Sequence, residues 1–213
     1  MMGPVNLKEQ WRRFWKAAGA KGDASGPWSD LSARYSEPHR AYHTLRHIAH
    51  CLEEFEPVRA EAKDPVAVEM AVWYHDAIYD THRRDNEERS AVLAEGTATG
   101  AGLGPGLARR VGELIRVSTH KKSAAEPDAR LFADIDLAIL GQTPERFAEY
   151  ERQVRQEYAW VAEPDFRIGR SKILETFLDR FSIYMTPVFQ DKYEKQARLN
   201  LTASILVLKG GVV

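Results

Sequence analysis

Apolar positions along this chain recur at helical rather than strand spacing. Leu7, Trp11, Phe14, Trp15 and Ala18 fall on one stripe of a helix near the start. Asp64-Pro65 pairs a capping side chain with a proline at the first helical position and predicts a helix through VAVEMAVWYHDAIY. Thr143-Pro144 and Thr186-Pro187 repeat that signal ahead of two long periodic segments, and Glu163-Pro164 predicts another start. Asp85-Asn86-Glu87-Glu88 places acids in the first turn of a further helix, where they suit its dipole. No alternating apolar run bounded by Asn-Gly or Asp-Gly turns is found. Breaks rich in glycine and polar residues, at 19–27, 96–106 and 121–128, have the size of connectors rather than of domain linkers. The pattern predicts an all-α chain of about eight to ten helices forming a single domain over 1–213.

Composition narrows the class. Hydrophobic residues make up 44% and charged residues 29% of the 213 positions, near the averages of folded domains. The 30 Lys and Arg nearly cancel 31 Asp and Glu, which argues against long nucleic acid as the main partner, since backbone binding draws on a basic excess. The single cysteine, Cys51, excludes an intramolecular disulfide and reads as a small core residue. No apolar stretch is long enough to cross a bilayer, and MMGPVNLKEQWRRFW lacks the apolar run of a signal peptide. The expectation is a cytoplasmic enzyme with no membrane partner. The apolar C-terminal LTASILVLKGGVV is expected to pack as a final helix turn followed by a mobile tail.

Three segments stand apart from this ordinary pattern. RAYHTLRHIAH (40–50) carries His43, His47 and His50 at i, i+4 and i+7, one face of a helix that starts early enough, with His39 just ahead. WYHDAIYD (73–80) sets His75 and Asp76 among apolar residues, where an unpartnered carboxylate is costly and either a divalent cation or a buried ion pair would offset the cost. ADIDLAILG (133–141) carries Asp134 and Asp136, which diverge by about 200° on a helix, so only one of them faces a given site. Imidazole and carboxylate donors together suit Mn, Fe, Co, Ni or Zn.

In the order His, His-Asp, Asp, these segments resemble the HD superfamily of metal-dependent phosphohydrolases. The likeness is closer to an uncharacterised bacterial branch of it. That branch's pattern is matched here by Arg40, Tyr42, His43, His47 and Ile48; by Trp73, His75, Asp76, Tyr79 and Asp80; by Asn86, Glu87, Ser90 and Ala91; and by Asp134, Asp136, Leu137, Ile139, Leu140 and Gly141. The resemblance implies an HD-type helical bundle with a metal-site core at 35–141, completed by helices over 143–210. It implies a divalent metal (Mn, Mg, Co, Ni, Fe or Zn) held by His47, His75, Asp76 and Asp136, with His120 as an additional ligand where two metals bind. Asp136 is preferred to Asp134 because the superfamily places its last ligand just before an apolar Leu.

The implied activity is hydrolysis of a small phosphorylated molecule such as a nucleotide, at a phosphomonoester, phosphodiester or pyrophosphate bond. For that reaction Asp80, one turn beyond Asp76, and Glu87 are the candidates for holding the water or acting as base. Arg40, His43, Lys121 and Lys122 are the candidates for binding phosphate, with Arg83 and Arg84 behind them. Two alternatives stay open: an oxygenase holding two irons, for which His43 and His120 would supply ligands, and a non-catalytic module that binds a metal or nucleotide. Trp160, Phe166, Phe177, Phe181 and Tyr184 read as core or interface without chemistry, as do Tyr42 and Tyr79 where they do not line the pocket.

Overall fold

The computed structural model describes residues 6–119 and 125–210 of the chain. Those residues form ten α-helices and no strand, as the periodicity predicts. The helices are α1 (Leu7–Ala17), α2 (Ser25–Arg34), α3 (Leu45–Phe55), α4 (Pro65–Tyr74), α5 (Asn86–Gly100), α6 (Pro105–Val117), α7 (Pro127–Asp136), α8 (Pro144–Glu157), α9 (Glu163–Leu178) and α10 (Pro187–Leu208). Short 3₁₀ segments follow α3 at Glu56–Glu61 and α7 at Leu137–Gly141. Among the described residues no helix is long and apolar enough to cross a membrane. The chain forms two compact units, Met1–Ile135 and Asp136–Val213, and the division falls just before the last residue of α7.

The first unit is built around α4, which packs against α3, α5 and α6. Ala67, Val68, Met70, Ala71, Val72, Trp73 and Tyr74 are all buried, as the apolar residues of a central helix must be, and its one buried acid, Glu69, is paired with Arg59 at 2.7 Å. Its start is doubly fixed. The Asp64 side chain accepts the N–H of Ala67 at 2.9 Å, and the buried Asp128 carboxylate of α7 accepts the N–H groups of Lys63 and Asp64 at 2.7 and 3.0 Å. The stripe on α1 covers the other end. Trp11 lies 5.4 Å from Trp73 and 6.1 Å from Tyr74 between ring centres, and its indole N–H donates to the Ala24 carbonyl.

Two boundaries differ from the sequence expectation. The predicted break at 96–106 shrinks to 101–104, because α5 continues through Gly96 to Gly100. Buried Ala91, Ala94 and Ala98 let it lie close against α6, and that packing outweighs the low helix propensity of glycine. Likewise, α2 begins at Ser25, inside the break predicted at 19–27, and α7 at Pro127, inside that at 121–128.

In the second unit α10 packs against α9 and against the 3₁₀ segment Leu137–Gly141. Gly141 sits directly under Tyr193, where an added Cβ would come within 2.5 Å of the Tyr193 Cβ and 2.8 Å of its ring. Neither the backbone nor the first ring atoms can swing aside. Gly141→Ala is therefore expected to destabilise this unit by about 1–3 kcal/mol, as overpacking does, measured as a lower urea midpoint at an unchanged slope.

Asn200 donates to the carbonyls of Leu140 and Gln142 at 2.8 Å each. Glu194 of α10 fastens the loop ahead of that helix. Its carboxylate accepts the N–H groups of Ile183 and Tyr184, the Ser182 hydroxyl at 3.0 Å and the Arg198 guanidinium at 2.8 Å. Burial opposes the charge, but these donors outweigh it and hold the carboxyl below its ordinary 4.5. A depressed folded value stabilises above the unfolded value and is lost as the pH falls through the folded one. Wild-type protein is thus expected to lose stability below about pH 4.5 more steeply than Glu194→Gln, in urea titrations repeated across that range.

Phe177 and Tyr184 are buried, whereas Trp160 is 55% and Phe181 105% exposed, so that the aromatic residues of this unit divide between core and surface.

Candidate metal centre

Three stretches bring their polar side chains to one place. His47 is the third residue of α3, whose start is set by Thr44, with its hydroxyl oxygen accepting the N–H of Arg46 at 3.3 Å. His43 therefore precedes this helix instead of extending its histidine face as expected, because the capping residue has extended backbone. The His47 ring is 1% exposed, lies 4.9 Å from the Tyr42 ring, and has the Cys51 sulfur 3.7 Å from both of its nitrogens.

The second stretch corrects the expectation of a continuous helix through Tyr79. Helix α4 ends at Tyr74; His75 is its C-cap and Asp76 lies in the turn that follows. The groups that would have continued the helix are bonded elsewhere. Arg40 takes the carbonyls of Asp76 and Ala77 at 2.7 and 3.1 Å. The Ser90 hydroxyl accepts the N–H of Ile78 at 3.0 Å, and the Asn86 amide bonds both the N–H and the carbonyl of Asp80 at 3.2 and 2.9 Å. Asn86 and Ser90, four apart on α5, thus share a face that holds the 78–80 loop.

The resulting geometry is compact. His47 Nε2 and His75 Nε2 are 3.0 Å apart. An Asp76 carboxylate oxygen lies 3.1 Å from His75 Nε2 and 3.5 Å from His47 Nε2. Asp136, the last residue of α7, brings an oxygen into a set in which the donor atoms of His47, His75 and Asp136 all lie within 4.8 Å of one another. Asp134, two residues back and fully buried, is not in that set. The other nitrogen of His75, Nδ1, is 3.0 Å from the Val72 carbonyl. A carbonyl can only accept, so Nδ1 carries a proton and Nε2 is the nitrogen turned to the cluster. That orientation suits a metal, which would take Nε2, with the backbone carbonyl fixing the ring. Burial works against the Asp76 carboxylate, but the imidazoles of His75, His43 and His47 outweigh it and hold its carboxyl well below the usual carboxylate range.

The remaining candidates separate clearly. His43 is half-buried beside the site, its ring 5.9 Å from that of His47 and stacked at 4.2 Å on Tyr79. Arg40 was expected to bind phosphate, but its side chain is completely covered and its guanidinium is spent on Glu37 and on backbone carbonyls. Asp80 does not lie one turn along the helix of Asp76; it sits in the loop, where its carboxylate accepts the N–H of His82 at 2.9 Å. Glu87 is half-buried in the first turn of α5, and neither acid belongs to the set of converging donors. Arg83 pairs with Asp85 at 2.8 Å on the surface. His120, Lys121 and Lys122 lie outside the described residues.

One contributor escapes sequence reasoning altogether. The Tyr35 hydroxyl donates to the Trp73 carbonyl at 3.0 Å, and burial together with the nearby Asp76 charge raises its pKa well above normal, keeping it a donor. Nothing in the pattern around Tyr35 marks it for that task. No family model, curated protein or solved structure matches the chain.

Proposed function

We propose that this protein is a metal-dependent phosphohydrolase acting on a small phosphorylated molecule, with a nucleotide as the leading substrate class. The convergence of His47 Nε2, His75 Nε2 and the Asp136 carboxylate within 4.8 Å carries this reading, and the motif resemblance supplies the reaction class. Two imidazole nitrogens and carboxylate oxygens in one half-dry cluster form a donor set that fits a borderline divalent cation. His47, His75 and Asp136 would hold it, and Asp76, outside that trio but within 3.5 Å of both imidazoles, would add a further carboxylate oxygen. Such a cation supplies Lewis acidity: it lowers the pKa of a coordinated water and shields phosphate charge.

The chain's own residues have distinct tasks in that reading. The Val72 carbonyl keeps a proton on His75 Nδ1 and Nε2 turned to the cluster. Asp76 and Asp136 supply the negative charge that balances a cation in a site where His47 and His75 are each 1% exposed. His43, partly accessible and adjacent, is placed to donate a hydrogen bond to a phosphate oxygen from a ring nitrogen. The test is elemental analysis of purified protein followed by phosphate release from nucleotides, phosphomonoesters and cyclic nucleotides with Mn, Co, Ni or Zn added. Metal-dependent release from one of these classes supports the proposal. Metal-loaded protein that releases phosphate from none of them refutes it.

A further inference from the structure

We infer that Arg40 is a positioning residue whose guanidinium aims Asp76 at the His47–His75 pair. The inference rests on the metal reading of that cluster and adds to it a residue with no ligand contact of its own. Three observations carry it. First, the Arg40 side chain is 0% exposed, sandwiched between the rings of Tyr35 and Tyr79 at 5.1 and 5.4 Å from their centres, so it cannot swing out to meet a substrate. Second, its four hydrogen bonds tie its own segment, 37–43, to the remote stretch at 76–77. Nε donates to Glu37 at 3.0 Å, Nη1 to the carbonyls of His43 at 3.0 Å and Asp76 at 2.7 Å, and Nη2 to the carbonyl of Ala77 at 3.1 Å.

Third, the Asp76 and Ala77 carbonyls belong to the turn where α4 stops, and carbonyls just past a helix end lack partners within the helix. The cation fills that role. It holds the peptide on the C-terminal side of Asp76, and hence the direction of its side chain, while binding the backbone of His43 that leads into the helix of His47. A planar fork of donors reaches two neighbouring carbonyls at once, which a lysine ammonium on a flexible stem does not reproduce.

The test compares wild type, Arg40→Ala and Arg40→Lys by Co²⁺ affinity, by the visible absorption of bound Co²⁺, and by amide hydrogen exchange at 76–78 in metal-free protein. Both variants are expected to bind Co²⁺ roughly 10–100-fold more weakly, the usual cost of losing a group that orients ligands. Their Co²⁺ spectra should shift and exchange should quicken at 76–78, and methylguanidinium should restore part of the affinity to Arg40→Ala. Folded variants that bind Co²⁺ with wild-type affinity and spectrum overturn the inference. So does weaker binding that merely tracks lost global stability, without local exchange or rescue. If Arg40→Ala does not fold, Arg40→Lys decides alone. Should wild type itself bind no metal, the functional proposal falls, and the exchange rates still judge the clamp: quickened at 76–78 they support it, unchanged they overturn it.

Discussion

Asp136→Asn and His75→Ala proteins are each expected to lose divalent-metal binding by well over the roughly 100-fold that marks the loss of an orienting group, because each removes a donor atom itself. The asparagine variant is the sharper of the two. It keeps the volume of the side chain and removes only the charge and one acceptor, so the end of α7 has no reason to repack. His75→Ala also deletes a ring packed edge-on against Phe132 at 5.8 Å, and some of its effect will be lost stability. Asp134→Asn is the matched control: its side chain is fully buried, and it lies outside the converging set. It should leave Co²⁺ affinity unchanged even where it lowers the melting temperature. Titration calorimetry with Co²⁺, alongside circular dichroism melts of each variant, separates these outcomes. Wild-type affinity in Asp136→Asn would remove that residue from the site.

The second large effect concerns the fold. Trp11→Ala is expected to destabilise the first unit by about 3–5 kcal/mol, the usual cost of emptying a buried tryptophan site. Trp11 is 0% exposed, and its ring touches those of Phe14, Trp15, Trp73 and Tyr74 at centre separations of 5.3–6.1 Å. Its indole N–H also fixes the chain ahead of α2 through the Ala24 carbonyl. A domain's whole stability is about 5–15 kcal/mol, so this one change removes a large share of it. Trp160→Ala, at a position 55% exposed, should stay within about 0.5 kcal/mol of wild type. Urea unfolding of the two variants side by side gives the comparison.

Helix starts were legible because their signals are local. Asp64-Pro65 and Thr143-Pro144 stand where α4 and α8 begin, and in both the side chain ahead of the proline accepts a hydrogen bond from the first turn. The end of α4 was not legible. Nothing between Tyr74 and Tyr79 forbids a helix; it stops because Arg40, Asn86 and Ser90, remote in sequence, bond the groups that would have extended it. The same tertiary override let α5 run through Gly96. For the site, the residue types and their order pointed to His47, His75, Asp76 and Asp136; the fold brings donor atoms of His47, His75 and Asp136 within 4.8 Å of one another and leaves Asp76 outside that trio, beside the two imidazoles. The assignments of Arg40 and Asp80 rested on proximity in sequence to those four, and proximity does not say which way a side chain turns. Arg40 faces backward into the protein, and Asp80 caps its own loop.

The placement of the indoles has a practical consequence. Of five tryptophans in the chain, Trp11, Trp15, Trp28 and Trp73 belong to the first unit, with Trp11, Trp15 and Trp73 buried, while Trp160 alone represents the second, half in solvent and beside Tyr158. Emission on excitation near the red edge will therefore come largely from Trp160, and the blue-shifted part from the sheltered cluster. A single unlabelled sample carries two native optical reporters, and a denaturation followed at both wavelengths will tell whether the two halves melt together or one after the other.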